Sequence, residues 1–301
     1  MLYALIDIGS NTVRMAIYRI EGGRAEMLMK KKHAVGLAAH LKDGIMQQSG
    51  IDRTVEIVNG FRAFLLPFGI ENVVAFTTAA LRNARNSAEA VGEIERRTGL
   101  SIRIITGDEE AEYDFIGAVH GLKEDSGVII DIGGASTELV AFKNRAILTK
   151  TSLPIGSLAL YANHVKALLP TAKEIAVMRE EVERIIRSEE AFVSIRETSL
   201  VGIGGTFKGA SALCSAMFHQ EAASTHLAVE TIEEMIRYFS FAGVLTMDMT
   251  VLLMKNVPER MHTVMPGLVI ADVLAGWFHA KEITYSDSGV REGYIYAEIL
   301  K

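Results

Sequence analysis

The chain begins with an apolar segment that ends at a polar turn. Tyr3 to Ile8 is a short apolar run, interrupted only by Asp7, and such a run is typical of a buried strand. The turn-forming residues Gly9 to Thr12 follow it. From Val13 to Ile20 apolar residues alternate with arginines, which indicates a second strand. The opening pattern therefore predicts a strand, a glycine-containing turn and a strand.

The same pattern recurs about 124 positions later. Gly127 to Asp131 predicts a strand, Gly133 to Thr137 a turn, and Glu138 to Phe142 a second strand. A period of this length is far too long for a solenoid and indicates a duplicated domain. A Rossmann phosphate loop is disfavoured because a strand, not a helix, follows each turn. Two ordinary hairpins are the plain alternative.

The rest of the chain mixes predicted helices and strands, so the fold class is α/β. A third glycine segment, Leu200 to Lys208, precedes a predicted helix at 210–217, and a short helix closes the chain at Leu300. The other predicted helices cover 51–66, 79–97, 107–120, 175–187, 231–241 and 266–280, and the other predicted strands cover 73–77 and 102–106.

Composition narrows the class of protein. A chain of 301 residues that is 49% hydrophobic and 23% charged can bury the cores of two globular domains. The net charge of -6 argues against a nucleic-acid partner. An anionic substrate would then need a local basic site or a metal ion.

Location is constrained by cysteine content and by the apolar stretches. The single cysteine, Cys214, excludes an intrachain disulfide and a cysteine-based zinc site, which fits a cytoplasmic protein. The N-terminus has no basic region before its apolar run, so no signal peptide is predicted. The most apolar stretch, Phe239 to Met254, is broken by Asp248 and is shorter than the ~20 residues of a membrane span.

The two aspartate–glycine turns predict a phosphate site. An aspartate at the end of a strand lies at the sheet edge where open α/β folds bind ligands. Glycines after it let backbone amides approach an oxyanion, and Ser10, Asn11, Ser136 and Thr137 add side-chain donors. One turn from each domain, facing across a cleft, would hold a phosphate chain from both sides. Asp7 and Asp131 would then meet a Mg²⁺ that bridges the phosphates.

Six motifs in order resemble the exopolyphosphatase/guanosine pentaphosphate phosphohydrolase (Ppx/GppA) family of the sugar kinase–Hsp70–actin superfamily. They are Ile6–Thr12, Thr77–Arg82, Ile105–Ala111, Ile130–Leu139, Gly204–Thr206 and Gly289–Gly293. The resemblance implies two actin-like domains with an interdomain cleft, at 1–123 and 124–301, with the C-terminal helix packing back on the first. It implies Mg²⁺-dependent hydrolysis of a terminal phosphoanhydride in polyphosphate or guanosine pentaphosphate.

The resemblance also implies the site residues. Glu110 would be the general base that activates water, Asp131 and Glu138 would organise the metal and this water, and Asp7 would help at the metal. Phosphates would be bound by Gly9, Ser10, Asn11, Arg82, Gly133, Gly134 and Ser136, and by Gly204, Gly205 and Thr206 of the third glycine segment.

Several alternatives stay open at the level of sequence. Acidic residues in the first turn of a helix stabilise its dipole without catalysis, and Glu109 is the alternative base to Glu110. Ala135 stands where the family usually has a third glycine, and could narrow the phosphate cradle. The chain ends eight residues after Gly293, so the short two-domain form is expected, and its size is compatible with a homodimer.

Three functions remain to be distinguished. The sequence does not choose between polyphosphate and guanosine pentaphosphate as substrate. An ATP-dependent kinase or ATPase of the same superfamily is the first alternative function. A regulatory protein that binds alarmone nucleotides without hydrolysing them is the second.

Overall fold

The computed structural model describes residues 1–219, 225–240 and 244–300. The chain divides into two compact units. Unit 1 comprises Met1–Glu110 together with the C-terminal residues from Tyr294, and unit 2 comprises Ala111–Gly293. The division falls inside a single helix, Gly107–Val119, rather than after Lys123. The domain boundary expected from sequence stays a prediction.

Unit 1 is built on a five-stranded sheet with the order β3-β2-β1-β6-β7. The first three strands are antiparallel, and β6 and β7 continue the sheet parallel to β1. The strands of the unit are β1 (Leu2–Ile8), β2 (Thr12–Glu21), β3 (Arg24–Ala34), the small hairpin β4 (Leu41–Lys42) and β5 (Ile45–Met46), β6 (Val73–Thr77) and β7 (Ile102–Ile104). Its helices are α1 (Gln48–Leu65), α2 (Ala79–Arg82) and α3 (Ser87–Thr98), and α4 (Gly107–Val119) starts in it.

One face of this sheet carries the core of unit 1. Ile6, Ile8, Val13 and Met15 alternate along β1 and β2 with polar or smaller residues, and they are buried against α1 and α3. Helix α1 presents Ile51, Val55 and Val58 at helical spacing to this core, with Phe61 and Leu65 continuing the stripe. On the other face, Tyr294 stacks on Phe76, with 5.2 Å between the ring centroids.

Unit 2 repeats the arrangement with one extra strand, in the order β10-β9-β8-β11-β13-β12. Its strands are β8 (Ser126–Ile132), β9 (Thr137–Lys143), β10 (Ala146–Leu153), β11 (Leu200–Ile203), β12 (His226–Ala228) and β13 (Glu282–Ser286). Its helices are α5 (Ser157–His164), α6 (Ala172–Arg187), α7 (Glu190–Val193), α8 (Gly204–Met217), α9 (Val229–Phe239), α10 (Met247–Asn256), α11 (Val264–Trp277) and α12 (Val290–Tyr294).

The two sheets confirm the predicted duplication and the predicted α/β class. In each unit three antiparallel strands precede two parallel ones, and the order of the first five strands is the same. Helix α11 lies at the centre of the larger core and is buried over nearly its whole length. Its one charged residue, Asp272, pairs with Arg179 of α6, so the carboxylate is not buried alone.

Three predicted elements differ from the structure. The helix expected over 79–97 is two helices, α2 and α3, because the chain turns through Asn83 to Asn86. The third glycine segment is not a loop before a helix, since Gly204 is already the first residue of α8. The helix expected over 231–241 starts at Val229, and its predicted end lies outside the described residues.

Glycines let α12 approach the backbone of α4 within unit 2. A Cβ on Gly293 would collide with the carbonyl oxygen of Tyr113, and one on Gly117 would collide with that of Gly289. Glu292 accepts a hydrogen bond from the Gly289 amide at 3.1 Å, which caps α12. The Gly-Val-Arg-Glu-Gly motif is therefore a packing device. Within the described ranges, no helix is both long and apolar enough to cross a membrane.

Gly293→Ala should destabilise the protein by about 1–3 kcal/mol, since the added methyl group meets backbone atoms that cannot rotate away. Gly276→Ala is the matched control, because a Cβ there meets nothing within 4 Å. The control should be neutral or should stabilise α11 by up to about 1 kcal/mol. Urea unfolding monitored by circular dichroism measures both, and equal midpoints for the two variants would contradict the packing role.

Candidate functional site

The first aspartate–glycine turn, Gly9 to Thr12, closes on itself by one backbone hydrogen bond. The amide of Gly9 donates to the carbonyl oxygen of Thr12 at 3.0 Å. A Cβ at Gly9 would lie 3.2 Å from the same oxygen, so the position favours glycine. Neighbouring segments brace the turn, since the Asn11 carbonyl accepts from the amides of Val35 and Gly36. These hydrogen bonds hold the turn in one conformation.

Asn11 places an unpaired donor in this turn. Asn11 is only 8% exposed, and among the described residues none accepts a hydrogen bond from its Nδ2. A buried donor without a partner costs about 1–3 kcal/mol, so native proteins keep one where a ligand or water will use it. Ser10 and Thr12 beside it are buried as well. This donor fits an anionic oxygen at the turn.

Strand register sets which residues lie beside Asp7. Asp7 at the end of β1 is opposite Arg14 of β2, and Arg14 is opposite Lys32 of β3. Cross-strand neighbours share a face of the sheet, so these three side chains form a row. The Arg14 Nη1 lies 3.6 Å from Asp7 Oδ2, and its Nε donates to the Thr12 hydroxyl at 2.9 Å. Asp7, 4% exposed, therefore has a cationic partner.

Glu110 and Arg82, expected as base and phosphate ligand, form an ion pair inside unit 1. Arg82 Nη1 donates to Glu110 Oε2 at 2.7 Å and to the carbonyl of Ile105 at 3.2 Å. Both side chains are largely buried, with 14% and 11% exposed. Arg82 follows β6, whose Thr77 hydroxyl donates to the Ile8 carbonyl at the edge of the first turn. The pair orients the carboxylate, and its expected contact with phosphate stays a prediction.

Glu109 has a different role, because it caps helix α4. Its carboxylate accepts from the Thr106 amide at 2.7 Å and from Arg103 at 2.6 Å, while its own amide donates to the Thr106 hydroxyl at 3.1 Å. This is a capping box at the start of α4. Burial raises the pKa of Glu109, but the hydrogen bonds from Thr106 and Arg103 outweigh it and hold the pKa below its usual value. The neighbouring Glu110 is therefore the better candidate base.

The second turn, Gly133 to Ser136, repeats the first. The Gly133 amide donates to the Ser136 carbonyl at 3.0 Å, as Gly9 does to Thr12. The carbonyls of Gly133 and Gly134 accept from the first amides of α5, with Ser157 and Leu158 both at 2.9 Å. Within the described chain, no backbone carbonyl accepts from the amides of Gly134 and Ala135. Backbone amides in a glycine-containing turn are donors of the kind that bind anions.

Ala135, the departure from three glycines, fits the second turn without strain. The residue is not among those with positive φ, so its methyl group meets no backbone penalty. Gly156 approaches it so closely that a Cβ there would lie 2.5 Å from the Ala135 amide nitrogen. Glycine at position 156 therefore lets α5 begin directly behind the turn.

Asp131 and Glu138 form a carboxylate pair in unit 2. Asp131 ends β8 and lies opposite Glu138 of β9, as Asp7 lies opposite Arg14. Glu138 is 2% exposed, and its Oε1 accepts from the Ser152 hydroxyl at 2.7 Å. Carboxylate oxygens at opposite positions of neighbouring strands are ligands that a divalent cation accepts. The described residues contain no cluster of three metal-ligating side chains, so an ion here would need water or phosphate oxygens as well.

The third glycine segment closes around Asp131. Gly204 has φ +83° and a Cβ on it would collide with the Asp131 carboxylate. Thr206 donates to the Ile132 carbonyl at 2.9 Å, which ties the start of α8 to the second turn. A Cβ on Gly205 would collide with the guanidinium of Arg260. The segment is thus a backbone surface beside Asp131, and its phosphate role stays a prediction.

Each unit brings together its own part of the expected residues. Unit 1 groups Asp7, Gly9, Ser10 and Asn11, and separately pairs Arg82 with Glu110. Unit 2 groups Asp131, Gly133, Gly134, Ser136 and Glu138 with Gly204 and Thr206. That the two sets face each other across a cleft stays a prediction. Sequence reasoning missed Arg14, although its place opposite Asp7 in the duplicated hairpin was a usable signal.

A family model and individual relatives match the chain. The model of the Ppx/GppA phosphatase family matches residues 16–301. A candidate exopolyphosphatase of Haemophilus influenzae is 26% identical over 98% of this chain and 90% of its own length. A guanosine-5'-triphosphate,3'-diphosphate pyrophosphatase of Aeromonas salmonicida is 28% identical over 98% of this chain. The chain spans only 59% of that relative.

Solved structures show the same fold. The Ppx/GppA enzyme of Aquifex aeolicus is 27% identical, with a TM-score of 0.78 over 99% of both chains. An exopolyphosphatase from Cytophaga hutchinsonii, 22% identical, superposes with a TM-score of 0.84 over 99% of this chain and 97% of its own. The second likeness concerns the fold alone.

Glu109→Gln should lower the free energy of unfolding by about 0.3–1.5 kcal/mol near neutral pH, since the capping box loses its charged acceptor. The pKa of Glu109 is lower in the folded protein than in the unfolded chain, where it is about 4.3. The capping box therefore stabilises the protein fully above about pH 4.3, and this stabilisation is lost as the pH falls through the pKa of the folded protein. The gap between wild type and variant should therefore shrink below about pH 4. The midpoints of urea unfolding of both proteins at several pH values measure this difference in stability.

Asp108→Asn is the control for the capping prediction, because Asp108 lies in the same turn and carries the same charge. It removes the charge near the helix N-terminus without touching the capping box. Equal losses in the two variants at every pH would contradict the assigned role of Glu109.

Proposed function

The chain belongs to the Ppx/GppA phosphatase family, and we propose that it hydrolyses the terminal phosphoanhydride of inorganic polyphosphate or guanosine pentaphosphate, releasing orthophosphate. The observation that carries this proposal is the pair of matching turns, each closed by the same hydrogen bond after a strand-ending aspartate. The names of the Haemophilus and Aeromonas relatives support the choice of substrates.

Phosphate oxygens would be held by donors that the structure leaves available. In unit 1 the side-chain amide of Asn11 is buried and unpaired within the described chain. In unit 2 the amides of Gly134 and Ala135 serve the same purpose at the second turn. Because phosphoryl transfer depends mostly on positioning and charge neutralisation, such fixed donors are the main contribution a protein makes.

Glu110 would act as the general base. Its carboxylate takes a proton from water as the water oxygen attacks the terminal phosphorus and the bond to the bridging oxygen breaks. Orthophosphate leaves, and the remaining chain is one phosphate shorter. Arg82 holds the carboxylate in one orientation through the 2.7 Å contact, which makes it a positioning residue in this step. Glu109 is occupied as a cap.

Mg²⁺ would be held by Asp131 and Glu138, with Asp7 assisting. Hard carboxylate oxygens in a pair, completed by water and phosphate, are what Mg²⁺ usually accepts in proteins. When bound, the ion would neutralise charge on the phosphates. Asp7 is the weaker ligand of the three, because Arg14 already balances its charge at 3.6 Å. The Ser152 hydroxyl donates a hydrogen bond to Oε1 of Glu138 and thereby orients this carboxylate.

Two further expectations belong to the same proposal. A cytoplasmic location is supported by the single cysteine, Cys214, which is buried and unpaired. A homodimer is compatible with the size of the chain, and sedimentation of the purified protein measures it directly.

The proposal predicts phosphate release from polyphosphate or guanosine pentaphosphate, and little from ATP, when each is supplied separately with Mg²⁺. Glu110→Gln should lower kcat by at least about 10²-fold with little change in KM, because only the base is removed. Glu109→Gln, the same chemical change one residue earlier, should keep most of the activity. A colorimetric assay of released phosphate measures the activity of wild type, Glu110→Gln and Glu109→Gln.

Other outcomes assign the alternative functions. Formation of ADP from ATP, dependent on an added acceptor, would favour a kinase. Binding of guanosine tetraphosphate in calorimetry, without release of phosphate from any substrate, would favour a regulatory protein. Near-normal turnover by Glu110→Gln would remove Glu110 from the mechanism.

Removing divalent ions with a chelator should abolish activity, and Mg²⁺ should restore it. Glu138→Gln should raise the Mg²⁺ concentration for half-maximal activity by at least about tenfold, since one of two carboxylates at the site is lost. Glu112→Gln is the control, because this carboxylate pairs with Lys150 on the surface at 2.5 Å. An unchanged Mg²⁺ requirement in Glu138→Gln would contradict the assigned ligand.

A further inference from the structure

Helix α10 of unit 2 is apolar on more than one side. Leu253 is buried, and Met249 and Leu252 pack against the larger core, so these residues form the inner side of the helix. Apolar residues also occupy the outer side, where they lie at the surface. A helix that is apolar all round is normally enclosed on every side. The outer side of α10 therefore has the composition of a contact surface.

The exposed apolar residues of α10 form one stripe, which continues to a residue just before the helix. Its members are Val244, Met247, Val251 and Met254, which are 73%, 76%, 40% and 58% exposed. They follow one another at intervals of three, four and three residues. This is the a/d spacing of helices that pack on one another. A contiguous exposed apolar patch marks an interaction site, whereas single exposed apolar residues do not.

Two opposite charges flank this stripe on the same side. Asp248 and Lys255 are seven residues apart, which is nearly two full helical turns, so both side chains start from one side of α10. Both residues are exposed. Asp248 lies in the first turn of the helix and Lys255 in the last. Two α10 helices packed in opposite directions would therefore bring each Asp248 opposite a Lys255, whereas packing in the same direction would bring equal charges together.

We propose that this stripe joins two copies of the chain, with the two α10 helices antiparallel about a twofold axis beside Val251. A twofold contact uses the same patch on both copies, so the patch must be complementary to itself. This patch meets the requirement in two ways. The apolar stripe packs on its own copy, and Asp248 of each copy faces Lys255 of the other. A second copy of the chain therefore matches both the apolar residues and the charges of the patch.

The size of the patch sets the strength of the dimer. Helix α10 has ten residues and is about 15 Å long and about 10 Å across. Its contact is thus smaller than the roughly 800 Å² per partner of a stable complex. We expect a reversible dimer that forms at micromolar concentrations. The patch contains none of the residues assigned to the phosphate site, so this proposal goes beyond the proposed function and does not rest on it.

Sedimentation velocity of the full chain at roughly 1–100 µM measures the dissociation constant of the dimer. Val251→Glu should raise this constant at least about tenfold, because two carboxylates then face each other near the axis. Val177→Glu is the matched control, since Val177 of helix α6 is 41% exposed and Val251 is 40% exposed. The control should change the dissociation constant by less than about twofold.

Exchange of the two charges tests the direction of the helices. Asp248→Lys alone and Lys255→Asp alone should each weaken the dimer about tenfold, because both contacts between the copies become repulsive. An equimolar mixture of the two variants should associate about as tightly as wild type, since every contact in the mixed dimer joins opposite charges. The double variant should also recover the dimer. If the charges acted only on the helix dipole, mixing would restore nothing.

Each result supports or overturns the proposal. Wild type that stays monomeric at every concentration overturns it, and so does a dimer that Val251→Glu leaves intact, since the contact then lies elsewhere. A dimer that Val251→Glu weakens but that the mixture does not restore overturns the antiparallel arrangement. Circular dichroism and melting temperatures equal to those of wild type show that each variant is folded. Phosphate release enters none of these measurements, so failure of the proposed function is distinguishable from failure of this proposal.

Discussion

One backbone hydrogen bond of 3.0 Å closes each of the two aspartate–glycine turns. When the Gly9 amide bonds to the Thr12 carbonyl, and the Gly133 amide to that of Ser136, the hairpin register behind each turn is fixed. A slip of one residue would turn every side chain of the returning strand to the other face. Arg14 would then leave Asp7, and Glu138 would leave Asp131. The glycine turns thus have two effects. They contain backbone amide donors, and they set the register that determines which residue lies opposite each aspartate.

That choice explains how a duplicated hairpin can serve two purposes. With arginine opposite the aspartate, unit 1 has a pair of opposite charges whose nearest atoms are 3.6 Å apart. With glutamate there, unit 2 has two carboxylates at opposite positions of neighbouring strands, which is the arrangement that the proposed Mg²⁺ site uses. The two copies of the hairpin therefore differ in the sign of the charge at one register position, arginine in unit 1 and glutamate in unit 2.

The sequence predicted the features that are local in the chain. The two Asp-Ile-Gly turns, their flanking strands and the duplication all appear in the structure, because period-two alternation and glycine placement are local properties. The sequence did not predict the ion pair of Glu110 with Arg82 or the helix cap made by Glu109. Acidic residues in one helical turn look alike until their partners are known.

Features that depend on long-range pairing were also missed. Lys30 to His33 appears as one basic run in sequence, but pairing with β2 divides it between two faces. The start of α8 at Gly204 was misplaced because this residue packs against Asp131, 73 residues earlier, where a Cβ would collide with the carboxylate. Neither relation leaves a signal within a short window of residues.

The unpaired Asn11 amide has an evolutionary consequence. A buried donor that no described residue accepts weakens the ligand-free fold, and a hydrophobic side chain of similar size would remove that penalty. Selection for heat resistance alone would therefore discard this asparagine, whereas selection for turnover would retain it. Its persistence in a thermophilic descendant would mean that the lost stability had been recovered elsewhere in the chain.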